Sequence, residues 1–164
     1  EKFQKEIDEV IGQSRRPSLA DKPKMVYTEA LTCEVLRKSS MVPLGAFHVS
    51  TEDTTFEGYD MPKGTFITAN QHYIHHDPKI WGDPEIFRPE RFIDSEGKIQ
   101  KKECLIPFSI GKRVCPGETL ARDEIFLFLT NLFQRFEIRA HPSKPKPTME
   151  PMPILDALEP QEFF

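Results

Sequence analysis

The chain has 164 residues, 38% of them hydrophobic and 29% charged, a composition that suits one domain with a moderate core. Its net charge of −4 argues against a nucleic-acid partner. The most apolar stretch is interrupted by Arg122, Asp123 and Glu124, so we expect no membrane span within this sequence. Its three cysteines, irregularly spaced, indicate a reducing compartment rather than a disulfide framework.

Helical periodicity marks the first part of the chain. Apolar side chains within residues 3–11 predict a short amphipathic helix that ends at Gly12. The repeat from Tyr27 to Val35 predicts a second helix that ends before Pro43.

Short strands are predicted next, over residues 48–50, 54–56 and 65–69. Gly58 and the Met-Pro-Lys-Gly sequence of residues 61–64 provide turn signals between the last two. From His75 to Arg91 frequent prolines predict an ordered meander without long elements. Three aromatic residues are its expected packing anchors: Trp81, Phe87 and Phe92.

The last third predicts a long helix over residues 118–136, followed by a short strand near residues 137–139. The proline-rich tail after His141 is expected to be extended or hairpin-like.

Cys115 precedes the long helix in a segment that contains two glycines. The helix dipole and the charges of Lys112 and Arg113 favour the thiolate form of this cysteine. Gly111 and Gly117 allow the backbone to approach a bulky group closely. Such a loop is suited to a planar cofactor.

The pattern F-x-x-G-x-R-x-C-x-G, formed by Phe108, Gly111, Arg113, Cys115 and Gly117, resembles the haem-binding loop of the cytochromes P-450. These are haem-thiolate monooxygenases. The resemblance implies that Cys115 is the axial ligand of the haem iron, with Phe108 packed beside the loop.

Two upstream motifs agree with this family. Glu34 and Arg37 match its E-x-x-R helix and share one helical face, and Arg91 lies in a P-E-R-F segment. By resemblance these three residues form a structural charged triad. A buried carboxylate of this kind requires such partners.

Residues 43–48 and 76–89 resemble the animal microsomal, xenobiotic-metabolising branch of the family. The resemblance implies that His48 and Arg113 bind the haem propionates. It also implies a mainly α fold with small β-sheets (α+β), in which residues 1–164 are the C-terminal part of a single haem-thiolate monooxygenase domain. Because the sequence begins with Glu1, we expect a fragment, without the family's distal oxygen-activating helix and its N-terminal membrane anchor.

For the full-length protein, the resemblance implies haem b as cofactor and insertion of one oxygen atom from O2 into a small apolar organic substrate. Electrons would come from NADPH through a flavoprotein reductase, at the cytoplasmic face of the endoplasmic reticulum membrane. Residues 42–47 and 151–155 would bias substrate choice. We expect four cations to face solvent and form part of the reductase docking surface: Lys101, Lys102, Lys112 and Arg122.

Several alternatives stay open. This chain alone could be a non-catalytic fragment, or Cys115 could be the nucleophile of a cysteine hydrolase paired with His48. A zinc site at His72, His75 and His76 is conceivable, although surface or loop histidines are the favoured interpretation. Cys33 and Cys104 are expected to be small buried apolar groups.

Overall fold

The structure, a computed structural model, describes residues 1–139. Helix α1 spans Lys2–Val10, α2 spans Val26–Ser39, α3 spans Gln71–His76, α4 spans Pro78–Trp81 and α5 spans Glu118–Arg135. 3₁₀ turns lie at Leu19–Lys24, Pro89–Phe92 and Gly111–Arg113. The predicted mainly α fold with small β-sheets is confirmed.

Within the described residues, four short strands form two separate antiparallel pairs. Strand β1 (His48–Val49) pairs with β4 (Phe66–Ile67), and β2 (Thr54–Phe56) pairs with β3 (Tyr59–Met61). The three predicted strands are present, but the first and the last are shorter than predicted. Strand β3 was missed by the sequence reasoning, which placed only a turn in this region.

The ends of α1 and α2 are fixed by specific contacts. Gly12, at φ +70°, donates its amide to the carbonyl of Ile7 and ends α1 as predicted. The carboxylate of Glu6 accepts the amides of Tyr27 and Thr28, both at 2.7 Å. The α1 side chain therefore caps the first turn of α2 and fixes the angle between the two helices.

Two apolar clusters form the core of residues 1–139. The first joins α1, Met25 and α5 and contains five buried side chains: Phe3, Ile7, Ile11, Met25 and Phe126. The second lies between α2 and the meander and contains Ala30, Cys33, Trp81 and Phe92. Helix α2 packs against both α5 and the 3₁₀ turn Pro89–Phe92, so it joins the two clusters.

Some sequence predictions were wrong in detail. Phe87 is 42% exposed and does not anchor the meander, unlike Trp81 and Phe92, which are buried. Val35 is 43% exposed because α2 buries the opposite face, which includes Glu34 and Arg37. Residues 136–139 have irregular backbone rather than the predicted strand.

The predicted tail after His141 and residues 151–155 lie outside the described residues. Within residues 1–139, no helix combines the length and the apolar character that crossing a bilayer requires.

Candidate functional site

Cys115 lies in a short loop between the 3₁₀ turn Gly111–Arg113 and the first residue of α5. Its amide donates to the carbonyl of Phe108 at 2.9 Å, which closes the loop. Gly111 has φ +77°, a conformation that favours glycine. The loop geometry leaves the Cys115 side chain exposed and not bonded to another cysteine.

The Cys115 side chain borders a cavity of about 600 Å³. Its walls come from the end of α2 and the segment after it, from the loop before Cys115, and from the first two turns of α5. Most of the lining is apolar, including Leu36, Met41, Val42, Ala46, Pro107, Phe108, Ala121 and Ile125. Arg113 provides the one guanidinium among the described residues that line the cavity.

The predicted site residues fall into two groups. Cys115, Arg113 and Phe108 all line the cavity. His48 is exposed on β1, where it pairs with Ile67, and it is not among the lining residues. Gly111 and Gly117 do not line the cavity either, but they shape the loop. A Cβ on Gly117 would lie 3.8 Å from the Cys115 sulfur, so the backbone passes close to the thiol.

Arg122 does not face solvent as predicted. Its side chain is 19% exposed, and its guanidinium pairs with Glu118 at 2.8 Å and with Glu29 at 3.8 Å. It also lies over the ring of Phe108, 5.4 Å from the centroid. Arg122 therefore joins α5, α2 and the cysteine loop, whereas Lys101 and Lys112 are exposed.

Glu34 and Arg37 form a fully buried ion pair on α2. The guanidinium donates to both carboxylate oxygens of Glu34, at 2.8 and 3.0 Å, in a two-point arrangement. The remaining donors of Arg37 reach the carbonyls of His75 and Pro84, both at 2.8 Å. Few hydrogen-bonding groups of the pair are left unsatisfied, which offsets the cost of burying two charges.

Arg91 completes the network from the meander. Its Nε lies 3.1 Å from Glu34 Oε2, and the backbone amide of Arg88 donates to Glu34 Oε1 at 2.8 Å. The Arg91 guanidinium also donates to the carbonyls of Trp81, Asp83 and Ile86. The network thereby joins α2 to three points of the meander.

His75 is fully buried, so its interpretation as a surface or loop histidine was wrong. Its Nε2 accepts the amide of Ile106 at 3.0 Å, and its Nδ1 lies 3.0 Å from Ser40 Oγ. Burial is the main reason why the pKa of His75 falls to about 4, and His76, Arg37 and His72 lower it further. No local sequence signal distinguishes the buried His75 from the two other histidines within residues 72–76.

The rings of His72 and His76 stack with centroids 4.1 Å apart, and burial lowers the pKa of His76. Within residues 1–139, no three His, Cys, Asp or Glu side chains are grouped closely enough to hold a metal ion together.

Of the other two cysteines, one belongs to the second core cluster and one packs against it. Cys33 is buried, as predicted, and burial raises the pKa of its thiol. Cys104 is half-buried and packs against the same cluster.

The family model of the cytochrome P-450 proteins matches residues 1–163 of this chain, and the chain belongs to this family. The sequence-based recognition is therefore confirmed, together with the fold class that it implied.

Several relatives are identical to this chain at close to half of the aligned positions. Farnesoate epoxidase of Bombyx mori is 48% identical over 151 residues, which are 92% of this chain and 30% of that protein. Cytochrome P-450 2U1 of Homo sapiens is 48% identical over 149 residues, 91% of this chain and 27% of that protein. Cytochrome P-450 1A2 of Oryctolagus cuniculus is 48% identical over 147 residues, 88% of this chain and 28% of that protein. The chain thus spans less than a third of the length of these relatives.

The residues at the cavity fit a haem group. Cys115 offers a soft sulfur ligand at one wall, and the largely apolar lining suits a porphyrin ring. Arg113 adds a cation that can pair with a propionate carboxylate.

Proposed function

We propose that the full-length protein that carries this sequence is a haem-thiolate monooxygenase. It inserts one oxygen atom from O2 into a small apolar organic substrate. The observation that carries this proposal is the exposed Cys115 side chain at the wall of a largely apolar cavity, within a chain of the cytochrome P-450 family.

In this proposal Cys115 binds the iron of haem b as a thiolate. When bound, haem supplies the oxygen-activating chemistry, and a thiolate ligand favours cleavage of the O–O bond. The position of Cys115 beside the first turn of α5 supports the assignment, because the unpaired amides there favour negative charge.

The other residues bind and orient the cofactor. Arg113 pairs with one propionate of the haem. His48 binds a propionate as well, since it lies on β1, directly after the segment that lines the cavity. Phe108 packs against the loop, where the Arg122 guanidinium covers its ring. Met41, Val42 and Ala46, on the segment after α2, bias substrate choice, because they provide apolar surface to the same cavity.

Electrons reach the haem from NADPH through a flavoprotein reductase. Exposed Lys101 and Lys112, and half-buried Lys102, support a docking surface for an acidic partner near the cysteine loop. Arg122 makes only a secondary contribution there, since its charge is already paired. The full-length protein lies at the cytoplasmic face of the endoplasmic reticulum membrane and is attached by an N-terminal anchor.

The test is the carbonyl complex of the reduced, haem-loaded full-length protein. The wild type should show the red-shifted Soret band of thiolate ligation, and Cys115→Ala should lose it. Cys33→Ala and Cys104→Ala are matched controls that should keep the band, because Cys33 belongs to the second core cluster, Cys104 packs against it, and neither lines the cavity. A Cys115→Ala protein that retains the band would refute the ligand assignment.

A non-catalytic role of the 164-residue chain by itself is the second candidate. Haem titration of the isolated chain separates the two cases. The cysteine hydrolase alternative has no support, since no histidine of residues 1–139 lines the cavity at Cys115.

A further inference from the structure

His75 lies between the charged network on α2 and the loop that carries Cys115. The His75 ring hydrogen-bonds to Ser40, directly after α2, and to Ile106, ahead of the Cys115 loop, although both residues are far from it in sequence. Nothing in the proposed haem-binding role of Cys115, Arg113 and His48 makes use of it.

The hydrogen bonds define the protonation state of the imidazole. A backbone amide can only donate, so Nε2 of His75 must accept from Ile106 and carries no proton. The proton of the neutral ring is then on Nδ1 and is donated to Ser40 Oγ. The Ser40 hydroxyl in turn donates to the carbonyl of Arg37 at 3.0 Å.

Further hydrogen bonds connect Ile106 to the loop that carries Cys115. The carbonyl of Ile106 accepts the amide of Ser109 at 3.0 Å, and the carbonyl of Phe108 accepts the amide of Cys115 at 2.9 Å. Ser109 has φ +66°, a strained conformation for a residue with a Cβ. Ile106 is buried and donates its amide to His75. The backbone is therefore fixed at Ile106, immediately before the strained turn at Ser109.

His75 is also attached firmly to α2. Arg37 donates to the carbonyl of His75 and forms the two-point pair with Glu34. Both the backbone and the ring of His75 are therefore attached to α2. The imidazole is rigid because it makes two ring hydrogen bonds and no part of it is exposed.

We propose that His75 is a positioning residue for the cysteine loop: its neutral imidazole accepts the Ile106 amide and so holds Phe108 and Cys115 in register with the cavity wall. This inference rests on the proposed haem-thiolate function for its spectroscopic consequence. Its structural consequence, the fixed position of residues 105–109, is independent of haem.

Two variants separate the two ring nitrogens. In His75→Gln the side-chain amide oxygen replaces Nε2 and can still accept from Ile106. In His75→Asn the amide replaces Nδ1, so the contact to Ser40 is kept and the acceptor for Ile106 is lost. His76→Gln is the matched control, since His76 bonds through Nδ1 to the carbonyl of His72 and not to the loop.

The experiment measures two quantities on the full-length protein: hydrogen–deuterium exchange of residues 105–109, and the fraction of the reduced carbonyl complex that lacks the red-shifted Soret band. We expect exchange about tenfold faster and a larger fraction without the band in His75→Asn. His75→Gln and His76→Gln should stay close to wild type. Equal behaviour of the Asn and Gln variants would overturn the proposal.

The wild type provides an independent check if His75→Asn does not fold. The Ile106 amide should exchange as slowly as the buried amides of α2, and exchange at the rate of an open loop would overturn the proposal. If the wild type itself lacks the red-shifted band, the proposed function fails, while the exchange comparison still decides the role of His75.

Discussion

Glu34 and Arg37 lie one helical turn apart on α2 and form a two-point ion pair with no exposed side-chain surface. A buried charge that loses its partner is strongly destabilising, typically by about 3–5 kcal/mol. Arg91 reinforces the pair from the meander, so the loss of Glu34 leaves two guanidinium groups without their carboxylate.

We therefore expect Glu34→Gln to lower the free energy of unfolding by about 3–5 kcal/mol, measured by denaturant unfolding. Glu85→Gln is the matched control, since Glu85 pairs with Lys38 but is 78% exposed. That control should change the free energy by less than about 1 kcal/mol. Similar effects of the two substitutions would contradict the structural role of the network.

A second prediction concerns the pH dependence of stability at His75. The pKa of His75 is lowered from 6.5 to about 4 in the folded state, mainly by burial, so the unfolded chain takes up the proton first as the pH falls. The stabilisation by the neutral ring is fully present above pH 6.5 and is lost between pH 6.5 and 4. At 1.36 kcal/mol for each pKa unit, the loss amounts to about 3 kcal/mol.

The measurement compares denaturant unfolding of the wild type and His75→Gln from pH 7 down to pH 4, values that bracket this window. The difference in the free energy of unfolding between the two proteins should change by about 3 kcal/mol over that pH range. If the free energies of unfolding of the two proteins change in parallel with pH, His75 takes up its proton equally in the folded and the unfolded state, and the prediction is wrong.

Lys112 and Arg122 should behave differently when their charges are reversed. Lys112 is exposed, so Lys112→Glu should raise the reductase concentration needed for half-maximal turnover and leave the stability unchanged. Arg122 bridges Glu118, Glu29 and Phe108, so Arg122→Glu should lower the thermal midpoint of the protein.

Turnover against reductase concentration and thermal unfolding should be measured on the same samples. An Arg122→Glu protein with wild-type stability would contradict the bridging role. A Lys112→Glu protein with unchanged reductase dependence would remove Lys112 from the docking surface.

Gly45 provides a test of the cavity wall. It has φ +61°, and a Cβ there would lie 2.9 Å from Nε2 of the buried Gln71. Gly45→Ala should destabilise the protein by about 1–2 kcal/mol and change the substrate binding constant, since Gly45 and Gln71 both line the cavity. Gly97→Ala is the control for backbone strain alone, because Gly97 has φ +75° and open space around its Cβ position. Equal effects in both would exclude the clash with Gln71.

The sequence predicted those parts of the structure that depend on local spacing. Glu34 and Arg37 are three residues apart and share a helical face, so their pairing could be foreseen. Cys115 was singled out by its glycines and by the apolar helix after it. The bounds of α1, α2 and α5 followed from periodicity and from stop signals such as Gly12.

The sequence did not predict what depends on distant partners or unusual backbone. The burial of His75 requires Ser40 and Ile106, which are 35 and 31 residues away. Strand β3 was missed because the two-residue turn before it uses Glu57 at φ +51°, where Asn, Asp or Gly is expected. Arg122 was expected to face solvent, because its position between α2 and the cysteine loop depends on the tertiary structure and has no local sequence signal.

The most direct test of the central claim is vibrational spectroscopy of the iron–sulfur bond. Resonance Raman spectra of the haem-loaded full-length protein should be recorded with ordinary cysteine and with cysteine that carries a heavy sulfur isotope. Ligation by Cys115 predicts an iron–sulfur band that shifts with the isotope, persists in Cys33→Ala and Cys104→Ala, and disappears in Cys115→Ala. The absence of any isotope-sensitive band in the wild type would contradict the thiolate assignment.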